Sequence, residues 1–200
     1  MINISAVKIN LDDVLIRLGY SRLRTKLDEK TKTLIAETIS LAQKLIKIKT
    51  IAAVETISLK ENEIFFENGF QISSRGVSKL LNGCFKAYGV AITIGSALEK
   101  KRNALISSKE TFEALVLDAA GSAAAEETIS AVNEEIKREE AKNGCALTKR
   151  FSCGYGDWTL ENQKNFLDWI GAKNIGISLN SSFLMTPEKS ISALIGVKKP

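Results

Sequence analysis

Histidine is missing altogether from this 200-residue chain. Its absence removes the commonest general base, the commonest metal ligand and the side chain that ordinarily titrates near neutrality, which argues against self-contained hydrolytic or metal chemistry. Cysteine is scarce. Cys84, Cys145 and Cys153 are odd in number and widely spaced, and suit neither a disulfide framework nor a zinc site. Long apolar runs are lacking too: the stretch Ala119 to Ala125 is broken by Gly121 and Ser122 and falls far short of the roughly 20 residues that cross a bilayer. No membrane span is expected. The opening MINISAVKINLDD lacks the basic-then-apolar pattern of a signal peptide, which places the protein in the cytoplasm. Aromatics make up only 6% of the residues, and the net charge of +5 is diluted by runs such as Lys137-Arg138-Glu139-Glu140. Both features argue against a nucleic-acid partner.

At 44% hydrophobic the chain can bury one ordinary core, or a core with an appended arm. Residues 11–18 (LDDVLIRL) read as a short helix stopped by Gly19-Tyr20. Residues 28–47 follow as a longer one, with Leu34, Ile35, Thr38, Leu41, Ala42, Leu45 and Ile46 on one stripe. We read residues 1–50 as a helical arm laid on a main body, 51–200. In that body, residues 52–60 and 63–72 predict a hairpin around Glu61-Asn62, and Ser73-Ser74 caps a short helix through Leu81. Residues 85–94 predict a more buried strand, which Gly95-Ser96 turns into a helix carrying Leu98, Leu105 and Ile106. Between Thr111 and Lys142 runs the clearest helical periodicity, with Phe112, Leu115, Val116, Ala119, Ala123, Ile129, Val132 and Ile136 on its apolar face. Gly121 within it costs about 1 kcal/mol relative to alanine, and so marks either tight packing or another backbone passing close by. Strand-like stretches at 146–151, 175–179 and 190–197 complete a sheet mixed with helices.

One stretch, Arg150 to Gln163 (RFSCGYGDWTLENQ), carries the densest chemistry. Gly154 and Gly156 permit backbone angles that other residues resist and display Tyr155 between them. Thr159 is placed to cap a helix over 160–170 that Gly171 ends, with its N–H groups near the same corner. Arg150 supplies a planar, permanently charged fork that suits a carboxylate or phosphate. From the residues alone, the alternative of an arginine paired with a local acid stays open.

Four motifs in order extend this: R-x-x-x-G-Y-G-D (150–157), L-x-x-S-x-x-M-x-P-x-K-S-x-S (179–192), TIG (93–95) and DAAGSAAAE (118–126), with LGY at 18–20. Together they make the chain resemble the activation domain of cobalamin-dependent methionine synthase, in its small free-standing form, over roughly residues 50–197. The resemblance implies an α+β fold built on a bent, mainly antiparallel sheet with flanking helices. It implies S-adenosylmethionine as cofactor, cradled by Arg150, Ser152, Gly154 and Tyr155, with the arginine on the ligand's carboxylate. It further implies a reactivation component that supports reductive methylation of cob(II)alamin on a separate corrinoid protein. Partners would be the cobalamin-binding methionine synthase subunit and a flavodoxin-like or ferredoxin-like electron donor.

No catalytic side chain is needed for that task, since the sulfonium activates the methyl group and the protein supplies position and docking. The Asp-x-His-x-x-Gly pattern that presents an axial histidine to a corrinoid is lacking, so cobalamin enters only through a partner. Alternative readings are an activation or docking module for another corrinoid methyltransferase, or a structural domain that has lost the ligand. Cys153 stands where the family often has proline, and is either an inert substitution or an oxidation-sensitive thiol. An acidic ligand contact in the family's N-terminal arm has its nearest match at Asn10, beside Asp12 and Asp13, and is left unassigned.

Overall fold

A computed structural model describes residues 4–20 and 26–199, so residues 1–3 and 21–25 of the expected arm, and residue 200 of the expected body, lie outside it. Six helices and eight strands are present among the described residues. The strands are β1 (Lys49–Lys60), β2 (Glu63–Phe66), β3 (Gln71–Ser73), β4 (Cys84–Thr93), β5 (Ala146–Leu147), β6 (Ser178–Leu179), β7 (Met185–Thr186) and β8 (Ser190–Lys198). The helices are α1 (Leu11–Arg17), α2 (Glu29–Leu45), α3 (Arg75–Leu81), α4 (Ala97–Ser107), α5 (Thr111–Ala141) and α6 (Gln163–Ile170). Six strands form one sheet in the order β3-β2-β1-β4-β8-β5, every pairing antiparallel, and β6-β7 form a separate hairpin. Long β1 changes partners along its length, pairing with β4 from Lys49 to Thr56 and with β2 from Ile57 to Lys60. The expected α+β class, an antiparallel sheet with flanking helices, is observed.

Alternation along β4 divides the core in two. Val90, Ile92 and Ile94 face α1, α2, α4 and α5, where they meet Val14, Ile35, Leu98, Ile129 and Val132. Ala87 and Ala91 face α3 and α6, where Val77, Leu81, Trp158, Phe166 and Ile170 pack. Small side chains on that second face admit large aromatic ones: an added Cβ on Gly89 would stand 2.4 Å from the Trp169 ring. Asn10 caps α1 by accepting the Asp12 N–H, and Asp28 caps α2 by accepting the Thr31 N–H. No helix among the described residues is long and apolar enough to cross a membrane.

Several elements differ from the sequence reading. The second hairpin strand is interrupted at residues 67–70, where Gly69 takes a positive φ of 88° and the chain folds back as β3. Leu115 and Ile106 are more than half exposed, so they lie off the apolar faces assigned to them. At Gly121 the nearest neighbours are side chains and not another backbone. A Cβ there would lie 2.9 Å from Leu98 Cδ2 and 3.4 Å from Lys189 Cγ, so tight side-chain packing accounts for the glycine. Residues 146–151 hold a ladder only at Ala146–Leu147, and residues 172–175 form a 3-10 turn in place of the start of a strand. Thr159 makes no capping bond to the backbone; its hydroxyl accepts from Asn162 Nδ2, and the helix opens with a 3-10 turn at Leu160–Asn162.

Candidate functional site

A groove of about 700 Å³ runs along the outer edge of β8. It exists because β5 forms a ladder with β8 only opposite Val197 and Lys198; Thr148 still donates its N–H to the Gly196 carbonyl and accepts the Gly196 N–H at its hydroxyl, and past it the backbone rejoins β8 only at Phe151. There Phe151 and Leu194 exchange both backbone bonds, at 3.0 and 2.7 Å. Two residues back along β8, Ser192 has the same outward orientation by the alternation of an antiparallel ladder. Its carbonyl accepts the Ser152 hydroxyl at 2.7 Å, and its N–H faces the groove.

The opposite wall is α5, which contributes Glu126 and Asn133. Seven residues apart, these two share one side of the helix. Asn133 Oδ1 is buried and has no donor among the described residues. From α6, the buried Gln163 donates to the Phe183 carbonyl at 2.9 Å and so ties the β6-β7 hairpin to the groove, where Met185 is exposed to it. Beyond Met185, Lys189 Nζ reaches Asp118 at 2.9 Å and Ser122 at 2.8 Å, while Arg102 pairs with Asp118 and Glu188. That network fastens the start of β8 to α4 and α5.

Arg150, Ser152 and Tyr155 all line the groove. Gly154 does not line it; with φ of 90° it shapes the turn, and its N–H donates to the Trp158 carbonyl at 2.8 Å. Trp158 answers through its own N–H to the Tyr155 carbonyl, and its ring is buried against Phe166 at 5.3 Å and Phe151 at 6.2 Å. Burying that indole contributes roughly 3 kcal/mol toward holding the loop. Tyr155 itself is 67% exposed at the rim. Asp157 reaches away from the groove and accepts from Ser74 Oγ, the Arg75 N–H and the Gly76 N–H, which holds its carboxyl below the ordinary value and clips the loop to the start of α3.

Arg150 has a local acid. One Nη lies 3.3 Å from Glu126 Oε2, a single-point contact between two partly exposed groups that leaves most of the guanidinium's donors for something else. Such a surface pair is worth at most about 1 kcal/mol. Cys153 lies under the loop at 5% exposure, and burial pushes its thiol up to about 12, so the inert-substitution reading of this residue fits. Asn10 is engaged as the cap of α1. Sequence reasoning passed over Asn133, Gln163 and Ser192 as site residues. Glu126 stood in the 118–126 motif with no role assigned, and its seven-residue spacing from Asn133 was a readable signal.

No family model matches the sequence, and no curated protein matches it. The architecture, however, defines a class: this is the activation-domain fold of methionine synthase, with helices on an antiparallel sheet. Among 13 matching chains of known structure is the crystal structure of the MetH reactivation domain bound to AdoHcy. It aligns with a TM-score of 0.72 over 96% of this chain and 77% of that one, at 14% sequence identity.

Proposed function

We propose that the β8-edge groove binds S-adenosylmethionine and that the chain is a reactivation component of cobalamin-dependent methionine synthase, acting on a separate corrinoid protein. The observation that carries this reading is the single-point Arg150–Glu126 pair inside the groove of a fold shared with an AdoHcy-bound reactivation domain. The methionine end of S-adenosylmethionine carries a carboxylate and an ammonium group side by side. Arg150 offers a fork to the first and Glu126 an acceptor to the second. Ser192 N–H and the donorless Asn133 Oδ1 supply a donor and an acceptor deeper in the groove, and the volume falls in the usual range for small-molecule sites.

When bound, S-adenosylmethionine supplies a sulfonium-activated methyl group, which reductive methylation of cob(II)alamin takes up together with one electron from a flavodoxin-like or ferredoxin-like donor. The chain's own residues do the positioning. Arg150 fixes one end of the ligand, Ser152 holds the β8 edge at Ser192, and Gly154 sets the turn that presents Tyr155 at the rim, toward an arriving partner.

Calorimetry with S-adenosylmethionine tests the reading. Arg150→Ala is expected to weaken binding by about 10-fold to 150-fold, the equivalent of a charge-assisted contact of roughly 1.5 to 3 kcal/mol, with the lower figure favoured by the open groove and Arg150→Lys falling in between. The Glu126 contact supports a second reading, in which Arg150 is only a structural partner. Under that reading Arg150→Ala lowers the melting temperature and leaves ligand affinity unchanged, an outcome that would remove the proposed site.

A further inference from the structure

The TIG segment at 93–95 takes no part in the groove. It lines a separate concavity of about 400 Å³, which also receives Lys47, Lys49 and Lys100. We propose that this concavity is a binding site for a phosphate-type oxyanion, independent of the groove and of the reading given to it.

Three elements converge there. Lys49 opens β1 directly opposite Thr93, the last residue of β4, and Lys47 precedes it, its N–H bonded to the Ile94 carbonyl at 2.8 Å. Lys100 projects from the first turns of α4. All three lysines are exposed, and none is in an ion pair among the described residues, whereas Lys86, Lys142 and Lys189 are each matched with a carboxylate. Three positive charges gathered in one concavity repel each other, and an anion between them relieves that repulsion.

Two further features supply donors. Thr93 is 2% exposed yet lines the concavity; its Oγ1 accepts the Gly95 N–H at 3.1 Å, and its own hydroxyl proton has no acceptor among the described residues. A buried hydroxyl with an unused proton is the counterpart of an oxygen ligand. At the start of α4, Ser96 makes no side-chain cap bond, so the positive end of the helix is open on the same side. Glu99, the acid of that first turn, is engaged by the Lys189 N–H at 3.2 Å. Gly95 and Gly176, both at positive φ, keep side chains out of the walls, and Ile175 and Pro187 form an apolar margin on which the organic part of a phosphate monoester can rest.

Titration with inorganic phosphate at constant ionic strength tests this. Saturable binding at one site is expected, with roughly millimolar affinity. Lys49→Gln and Lys100→Gln should each weaken it by about five- to tenfold, and Thr93→Val by a smaller factor. Lys44→Gln, on the exposed side of α2, should leave it unchanged. Non-saturating binding, or equal weakening by Lys44→Gln, would overturn the site in favour of diffuse surface charge. The lysines are exposed and carry no packing role, so their variants decide the matter even if Thr93→Val fails to fold. A parallel titration with glycerol 3-phosphate separates the sources: tighter binding than phosphate assigns the site to a monoester, equal binding to the free ion.

Discussion

Glycine stands at the centre of two regions of this molecule for opposite reasons. In α5, Gly121 has ordinary helical geometry and is needed for space, because even a Cβ would press on Leu98. In the groove loop, Gly154 has φ of 90° with only Leu160 Cδ1 near its missing Cβ, at 3.5 Å, and is needed for backbone angle. One glycine lets elements approach; the other bends the chain where there is room to spare. Space-driven glycines report on the core, and angle-driven ones on the surface that displays Tyr155.

The contrast can be broken by substitution, beginning with the largest effect. Gly121→Leu forces a branched side chain into Leu98 and Lys189 and should cost about 3 kcal/mol, read as a fall in the denaturation midpoint; an unchanged midpoint would mean that the α4-α5 contact is loose. Gly154→Ala adds almost no contact, so its expected cost of about 1 to 2 kcal/mol is backbone strain alone. Asp157→Asn should be milder and dependent on pH. The native carboxyl is held below its ordinary 3.8, so its contribution is fully present above that value and fades as pH falls through the native one. Melting curves of wild type and variant should therefore differ at neutral pH and converge in acid. Least affected of all is Cys153: with its thiol buried and pushed up to about 12, a thiol reagent at pH 8 should label Cys145 in the native protein and reach Cys153 only after denaturation.

Helices were legible where one face repeats every three or four residues, as in α2 and α5, and where a cap is spelled out, as at Ser74, whereas Asp28 was read as helical and is the cap. Strand ends were not. Residues 146–151 read as one strand, yet only Ala146 and Leu147 form a ladder, with isolated further bonds to β8 at Thr148 and Phe151, because pairing is decided by where β8 runs and not by local preference. The same holds for the groove. Arg150, Ser152 and Tyr155 announced themselves within six residues, whereas Glu126, Asn133, Gln163 and Ser192 come from three other elements and meet only in the folded chain. Thr159 had the right residue type for a cap and was displaced by a 3-10 turn, a competition among nearly equal local geometries that spacing does not resolve.

Along the outer edge of β8 the groove is built from main chain as well as side chains. A groove floored by the N–H and C=O of Ser192 rests partly on atoms that no codon alters. Substitution can exchange side chains at the rim, such as Tyr155, while the polypeptide itself keeps the same polar groups in place. Drift in sequence therefore erodes the recognisable letters of this groove sooner than its floor.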